Sequence, residues 1–367
     1  MATGPRDTSS LVMLTGWDAA LIEKFKLADG TAIAQVASEL NAALGALNAE
    51  ISSDPFYSGV ASYTDEPTVE YRVGSSNGFE THTEYGRPDS KRADIAGHML
   101  PLIKKDRMLG WTWDYLKEAR APQIQADIAD AIKDARDLWR VAFLTRLLKR
   151  GDDSGASVGL SATGLSAGFA TAAASTGVDF TPPAFGGTAF DSNHEHYVGI
   201  TGGAFTRAAF QDMYDELREH GHEAPFDFIC GPSDRAAIEA LSGFTGPSTA
   251  LVRVGTSSNV AVIDPAQYFG TMLGYFQLRE VRGVPQYYGA AYKSYGSNSQ
   301  RNPLRVRLER GITAPRIVAM PDPRNGSMAH PLQNLMLYTE IGVGTYDRTA
   351  ATPRYNNSAT WTDGTPT

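Results

Sequence analysis

Two short motifs in the sequence match the spacing around a catalytic serine. The stretches 155–159 and 164–168 both read Gly-x-Ser-x-Gly, with Ser157 and Ser166 at their centres. In a serine hydrolase this motif lies on a sharp turn between a strand and a helix, which exposes the hydroxyl group. Neither motif has such flanks, and both lie in a segment so rich in Gly and Ser that chance matches are expected. We therefore predict no catalytic serine.

Four histidines form two His-x-His pairs, His194 with His196 and His220 with His222. Imidazole nitrogens are common zinc ligands, and adjacent glutamates could add a carboxylate. These glutamates are Glu195, Glu219 and Glu223. The alternative is structural, because His220 falls in the last turn of a predicted helix, where a partly cationic ring complements the carbonyl groups. The other three histidines are predicted to lie in polar loops, and we predict no metal and no cofactor.

Four aspartates recur at helical spacing along one predicted helix: Asp127, Asp130, Asp134 and Asp137. Carboxylates perform acid–base catalysis only in a cleft that separates their pKa values. This row lies opposite the apolar face of its helix and is interspersed with Lys133 and Arg136, so we interpret it as an exposed or intersubunit ion-pair face. The common dinucleotide, phosphate-loop and zinc-protease motifs are absent from the sequence, and we predict that the protein is not an enzyme.

Two groups of basic residues are candidates for phosphate contacts. The first is Lys104, Lys105 and Arg107, and the second is Arg301, Arg305, Arg307 and Arg310. Neither is a dense run, and we favour a surface or subunit-contact role for both. The chain as a whole is acidic, with 33 Lys+Arg against 41 Asp+Glu and a net charge of −8. An acidic total argues against nucleic-acid binding along the whole chain.

The composition is that of a globular protein. The chain has 367 residues, of which 42% are hydrophobic, enough for a core and about two domains. The one cysteine, Cys230, permits no internal disulfide, so a reducing compartment suits the protein. The first residues are polar and give no signal-peptide pattern. The longest uncharged stretch, 155–178, is too rich in Gly, Ala, Ser and Thr to span a membrane.

Two amphipathic helices are predicted from apolar spacing. Thr31 to Ile51 carries an apolar stripe that must pack on its own chain, on a neighbouring copy or on a separate partner. A longer helix over 122–150, the spine helix, begins near Pro122 and ends before Gly151. Its apolar face consists of Ile124, Ile128, Ile132, Ala135, Trp139, Ala142, Phe143 and Leu147.

A β-hairpin is predicted between these helices. Alternating residues over 69–73 and 79–85 flank a turn at Asn77-Gly78. Charged, loop-like residues follow at 87–94, so no neighbouring segment offers a third strand. Because isolated hairpins are marginal in water, we expect this one to lie on another subunit. The predicted contact residues are Val69, Tyr71, Val73, Asn77, Gly78, Phe79 and Tyr85.

A second module follows a Gly/Ala/Ser/Thr-rich segment. Thr201 is predicted to cap a helix that ends at Gly221, before a buried strand at 226–230 and a short helix at 233–241. Further strands are predicted at 261–263, 272–281, 304–308 and 335–346. The end, 352–367, is rich in Asn, Ser, Thr and Pro and is predicted to be an irregular tail.

This order of elements resembles the major capsid protein of tailed bacteriophages, which has the Hong Kong 97-type fold. Four stretches carry the resemblance. They are the helix from Ile200-Thr201 to Glu219-His220-Gly221, the stretch 225–232 (PFDFICGP), Gly283-Val284-Pro285-Gln286, and the closing strand 335–344 (LMLYTEIGVG).

The resemblance implies an α+β fold with an N-terminal arm, an extended hairpin loop, a peripheral domain that contains the spine helix, and an axial domain. The implied boundaries are 1–56 for the arm, 57–100 for the loop, 101–200 with 330–352 for the peripheral domain, 201–329 for the axial domain and 353–367 for the tail.

It also implies function: self-assembly, as pentamers and hexamers, into the icosahedral shell around the double-stranded DNA of a tailed bacteriophage. The location would be the virion, with assembly in the host cytoplasm and no membrane. Portal, scaffold and decoration proteins stay open as further partners. Two alternatives also stay open: a shell protein of an encapsulin-like nanocompartment, and a serine or metal-dependent hydrolase.

Overall fold

A computed structural model describes residues 26–73, 94–149, 194, 196–247, 267–321 and 332–367. The helices within these residues are Ile33–Ser53 (α1), Pro55–Val60 (α2), Trp113–Glu118 (α3), Ala121–Leu148 (α4), Arg207–Glu219 (α5) and Pro232–Glu239 (α6). The strands are Ala61–Thr64 (β1), Thr68–Val73 (β2), Asp94–Met99 (β3), Ile103–Thr112 (β4), Val198–Gly199 (β5), Phe226–Cys230 (β6), Phe244–Thr245 (β7), Tyr268–Met272 (β8), Phe276–Glu280 (β9), Tyr288–Tyr292 (β10), Leu304–Arg307 (β11), Val318–Pro321 (β12), Leu332–Thr345 (β13) and Ala351–Tyr355 (β14). The predicted α+β class is confirmed. Among the described helices, none is both long enough and apolar enough to cross a bilayer.

The chain divides into two compact units. The first unit is Met1–Asp54, Leu102–Trp139 and Leu308–Ile341, and the second is Pro55–Pro101, Arg140–Arg307 and Gly342–Thr367. Residues of α4 and β13 are shared between the two units. These units are defined by contacts between residues and do not coincide with the predicted domains. The boundaries of the predicted domains stay a prediction.

In the first unit, the leading part of β13 is the central strand of an antiparallel sheet. Residues 332–341 pair with β4 on one side, and residues 335–338 pair with β12 on the other. The apolar stripe of α1 is buried, as the spacing predicts: Val36, Leu40, Leu44, Leu47 and Ile51. The Asn48 side chain fixes α1 to the chain before β12, because it donates to the Ile317 carbonyl at 3.0 Å and accepts from the Ile317 N–H at 2.8 Å. The predicted helical arm therefore packs on its own chain.

The spine helix is confirmed as α4, and it begins one residue earlier and ends two residues earlier than predicted. In the first unit, Arg136 forms an ion pair with Glu50 of α1 at 2.7 Å, and Gln125 donates to Glu39 at 2.6 Å. In the second unit, the ring of Phe143 lies 5.0 Å from that of Tyr57 in α2. These contacts explain why so long a helix stays regular, since each segment has a partner surface in its own unit.

The second unit is built on a seven-stranded sheet with the order β5-β14-β10-β6-β9-β8-β7. The pairs β5–β14 and β6–β9 are parallel, and the other four are antiparallel. Helices α5 and α6 contribute buried residues to one core with these strands. The core consists of Phe205, Phe210, Met213, Leu217, Phe226, Phe228, Cys230, Ile238, Phe269, Met272, Phe276, Leu278 and Ala291. The predicted strand at 226–230 is confirmed as β6, which is the central strand of this sheet.

The predicted N-cap of α5 is wrong by five residues. Thr206, not Thr201, caps the helix, and its hydroxyl oxygen accepts from the Ala209 N–H at 3.2 Å. Gly203 has a φ of 71°, a left-handed conformation that a right-handed helix cannot contain. The predicted end is confirmed, because Gly221 has a φ of 83° directly after the His220 C-cap.

Two strand predictions also need correction. The predicted strand at 272–281 starts at the last residue of β8, passes through a turn in which Leu273 and Gly274 have φ of 55° and 74°, and continues into the antiparallel strand β9. The predicted tail begins inside the sheet, since β14 lies between β5 and β10. Beyond β14, the ring of Trp361 lies 4.7 Å from that of Tyr197, and Gly364 donates to the Leu148 carbonyl at 3.3 Å. The end of the chain is therefore held against the second unit.

Candidate functional site

A two-stranded ribbon, formed by β2 and β3, occupies the place of the predicted hairpin. The six residues of β2 pair with β3 from Thr68–Met99 to Val73–Asp94, and among the described residues this sheet has two strands. Strand β2 is as predicted, and Asp94, which was predicted to lie in a charged loop, opens its described partner β3. The predicted second strand at 79–85 lies outside the described residues and stays a prediction. The turn at Asn77-Gly78 and the predicted residues Phe79 and Tyr85 lie outside the described residues.

The base of the ribbon is fixed firmly to the second unit. Leu100 is fully buried, its N–H donates to the Pro67 carbonyl at 2.7 Å, and its own carbonyl accepts from Arg307 at 2.9 Å. The backbone at Pro101 approaches Gly342 so closely that a Cβ there would overlap the Pro101 carbonyl oxygen. Val69 is 2% exposed, so its side chain is covered by its own chain. Tyr71 and Val73 pair with Ala96 and Asp94 further along the ribbon.

The apolar residues predicted on the spine helix are interior residues. Ile124, Ile128, Trp139, Phe143 and Leu147 are buried, and Ile132 is half-buried. The exposed apolar side chains that stand out on the described surface are Met108 on β4 and Tyr115 on α3, at 44% and 40% exposure. Both belong to the first unit.

The aspartate row of α4 forms hydrogen bonds and ion pairs rather than carboxylate pairs. Asp127 accepts from the Trp111 indole N–H at 3.0 Å, and Asp134 forms an ion pair with Arg107. Arg107 and Asp134 border a groove of about 300 Å³ in the first unit, which is also lined by Ala131, Leu138 and Leu337. Because the ion pair between Arg107 and Asp134 is largely exposed, it contributes under about 1 kcal/mol to stability.

Five of the seven basic residues predicted as possible phosphate contacts make contacts within the chain. The guanidinium of Arg301 stacks 3.9 Å from the centre of the Tyr295 ring, and that of Arg305 lies 4.2 Å from that of Tyr346. Arg307 donates to the base of the ribbon, and Lys104 lies 3.7 Å from Glu340. These interactions favour the structural interpretation of both groups.

Three of the four predicted histidines come together. Ligand atoms of His194, His196 and His220 all lie within 4.8 Å of one another. His196 and His222 lie in loops, as predicted, but both side chains are buried, so the expected polar surroundings are wrong. His222 lies apart, where its ring nitrogens contact the Tyr295 hydroxyl at 2.6 Å and the Thr349 hydroxyl at 2.9 Å. Ser157, Ser166 and Glu195 lie outside the described residues.

Sequence spacing alone could not show this cluster. His196 is held beside β14 because its Nδ1–H donates to the Ala351 carbonyl at 3.2 Å, a contact across 155 residues. His220 reaches the same place from the C-terminal end of α5. The signal present in the sequence was the His-x-His spacing itself. The position of His196 beside β14 follows from the pairing of β5 with β14, which the sequence pattern did not show.

Comparison with known proteins identifies the fold. No family model and no curated protein matches the sequence. A chain in the solved structure of Mycobacterium phage Patience is similar over 91% of this chain and 91% of its own, with a TM-score of 0.62 and 17% identity. The capsid of a native GTA particle covers 84% of this chain and 91% of its own, with a TM-score of 0.48 and 15% identity. A chain in the mature capsid of bacteriophage PhiM1 is similar over 81% of this chain and 86% of its own, with a TM-score of 0.46 and 13% identity.

Proposed function

We propose that this chain is the major capsid protein of a tailed bacteriophage, with the Hong Kong 97-type fold, and that many copies assemble into the icosahedral shell around the genome. The observation that carries the proposal is the fold shared with a chain of Mycobacterium phage Patience, which extends over 91% of both chains.

The ribbon supports assembly on physical grounds. Two-stranded sheets are at best marginally stable in water unless another surface covers them. The base of this ribbon is anchored by Leu100 and Arg307, whereas its described strands receive no third strand from the described residues. A neighbouring copy of the chain would supply the missing surface, and we propose that Tyr71, Val73 and the residues between β2 and β3 make that contact.

The packaged partner in this proposal is double-stranded DNA, bound without sequence specificity. A net charge of −8 leaves no general attraction to phosphate. Arg301 and Arg305 are stacked on tyrosine rings, so the strongest basic group is engaged within the chain. The shell would contain the genome rather than bind it tightly. The virion is then the site of function, assembly takes place in the host cytoplasm, and portal, scaffold and decoration proteins are the expected accessory partners.

The test is the size of the particle that the chain forms. The full chain is expressed alone and analysed by gradient sedimentation and negative-stain electron microscopy. We expect closed shells, or flat pentamers and hexamers, built from the 39.5 kDa chain. A stable monomer or dimer across a range of protein concentrations and salt would contradict the proposal. Shells that consistently enclose a co-expressed enzyme would favour the nanocompartment instead.

A further inference from the structure

The three clustered histidines lie at a junction of the second unit. His194 and His196 precede β5, and His220 is the C-cap of α5. The rings are closely packed, with centroids 4.9 Å apart for His194 and His220 and 4.7 Å apart for His196 and His220. The ring nitrogens of three imidazoles packed so closely need partners, which are either hydrogen-bonding groups or a bound metal ion.

Two of these rings and one carboxylate already have the spacing of metal ligands. His194 Nε2 lies 2.9 Å from His220 Nε2 and 3.1 Å from Glu219 Oε1, and His220 Nε2 lies 3.7 Å from the same oxygen. With bonds of about 2.0–2.1 Å, a tetrahedral zinc ion has ligand atoms about 3.3 Å apart. The three observed distances lie on either side of that value, so small side-chain movements would complete this face of the tetrahedron.

His196 provides an independent observation. Its Nδ1 lies 3.2 Å from the Ala351 carbonyl oxygen, to which it donates, and 3.6 Å from Glu216 Oε1. Its Nε2 is buried and has no hydrogen-bond partner. Metal-bound histidines typically donate the other ring N–H to a carbonyl or carboxylate, which fixes the tautomer and the ring orientation. His196 already has this arrangement, with a lone pair at Nε2 left for a ligand.

We propose that His194, His196, His220 and Glu219 bind one divalent transition-metal ion, best fitted by Zn²⁺, as a structural site. The donor set of three imidazoles and one carboxylate suits zinc, and four protein ligands close the site to substrate. The ion would tie the segment at residues 194–196 to the end of α5 and, through Ala351, to β14. His222 is excluded because both of its ring nitrogens already contact hydroxyl groups.

The experiment uses the full chain without an affinity tag, stripped with EDTA and titrated with Co²⁺ and then Zn²⁺. We expect one ion per chain, the intense visible absorption of tetrahedral Co²⁺, and its loss on displacement by Zn²⁺. His194→Gln and Glu219→Gln should each weaken binding by about 100-fold or more, since even changes behind the ligands cost about 10- to 100-fold. The matched control is Glu223→Gln, an exposed carboxylate four residues further on that should bind like the wild type.

Wild-type chain that binds no stoichiometric ion at micromolar free Zn²⁺ would overturn the proposal. So would unchanged binding in both ligand variants. The melting temperature gives a second measurement, because an ion that binds only the folded state must raise it. Zn²⁺ should raise it for the wild type and Glu223→Gln, and EDTA should reverse the effect. None of these results depends on whether the chain forms shells, so they are separate from the test of the capsid proposal.

Discussion

Asn302 is fully buried and joins two backbone segments of the second unit, one at Ala61 and one at Tyr295-Gly296. Its amide nitrogen donates to the carbonyls of Ala61 at 3.0 Å and Gly296 at 2.9 Å, and its side-chain oxygen accepts from the Tyr295 N–H at 2.9 Å. One side chain thus forms hydrogen bonds with backbone groups at Ala61, Tyr295 and Gly296. Such groups are costly to bury without partners, at about 1–3 kcal/mol each.

We therefore predict that Asn302→Ala lowers the free energy of unfolding by roughly 2–4 kcal/mol. Asn302→Asp should be at least as harmful, because it turns a carboxylate oxygen toward two carbonyls. Urea denaturation of the unassembled chain measures both. Asn357→Ala is the control, since Asn357 is exposed and its contact with the Tyr355 hydroxyl is long, at 3.5 Å. Equal loss in the control and Asn302→Ala would contradict the prediction.

Residue patterns in the sequence were sufficient for one part of the candidate site and not for another. The alternation at 69–73 predicted β2 correctly, because strand periodicity is a local property. Strand β3 was missed because Asp94 is charged and Gly97 is a poor strand former, so the local preference of β3 for strand is weak. Pairing with β2 overrides that preference, and a cross-strand partner 20 or more residues away leaves no local signal.

The same distinction holds for whole elements. Helices α1 and α4 were predicted nearly to the residue, since their apolar stripes repeat over many turns. The break between β8 and β9 was missed because Leu273 adopts a φ of 55°, a conformation that its residue type disfavours. Strand β14 was missed because Pro353 cannot donate a strand hydrogen bond and Arg354 is a charged residue between Pro353 and Tyr355. Pro353 and Arg354 are buried by the sheet on both sides, and Arg354 is paired with Glu216 at 2.5 Å.

Asp29 offers a test of how the first helical turn of α4 is held. Its carboxylate accepts from the Ala121 N–H at 2.8 Å, at the first residue of α4, and from the Thr31 N–H at 3.0 Å. These bonds, that from Ala121 foremost, lower the pKa of Asp29 below its ordinary value. A group whose pKa is lower in the folded state stabilises the protein above its unfolded pKa and loses that effect as the pH falls through the folded pKa.

Asp29→Ala should therefore be less stable than the wild type at pH 7, and the difference should shrink as the pH falls below about 4. Thermal melts between pH 7 and pH 3 measure the difference. Asp114→Ala is the matched control, because Asp114 has a side chain 91% exposed and a long ion pair with Lys117 at 3.4 Å. A pH-independent difference for Asp29→Ala would indicate that lost packing, rather than the charge, is responsible.

At the scale of the whole molecule, the ribbon of β2 and β3 receives no third strand from the described residues. Val73 and Asp94 are paired directly, so the register of the described strands is defined without residues 74–93, and those twenty residues can be replaced. An Asn-Gly pair suits a tight turn at that position, because both residues tolerate positive φ. The body of the second unit, anchored through Leu100 and Arg307, should be unaffected.

We predict that the chain with residues 74–93 replaced by Asn-Gly folds but does not form shells. Its far-ultraviolet circular dichroism and melting temperature should match those of unassembled wild-type chain, which serves as the reference for folding. Gradient sedimentation should then give single chains or small oligomers under conditions where the wild type gives large particles, because the shortened chain lacks residues proposed to contact a neighbour. Shells of normal size from the shortened chain would place the essential subunit contacts elsewhere. The exposed Met108 and Tyr115 on the first unit would then be the next positions to substitute.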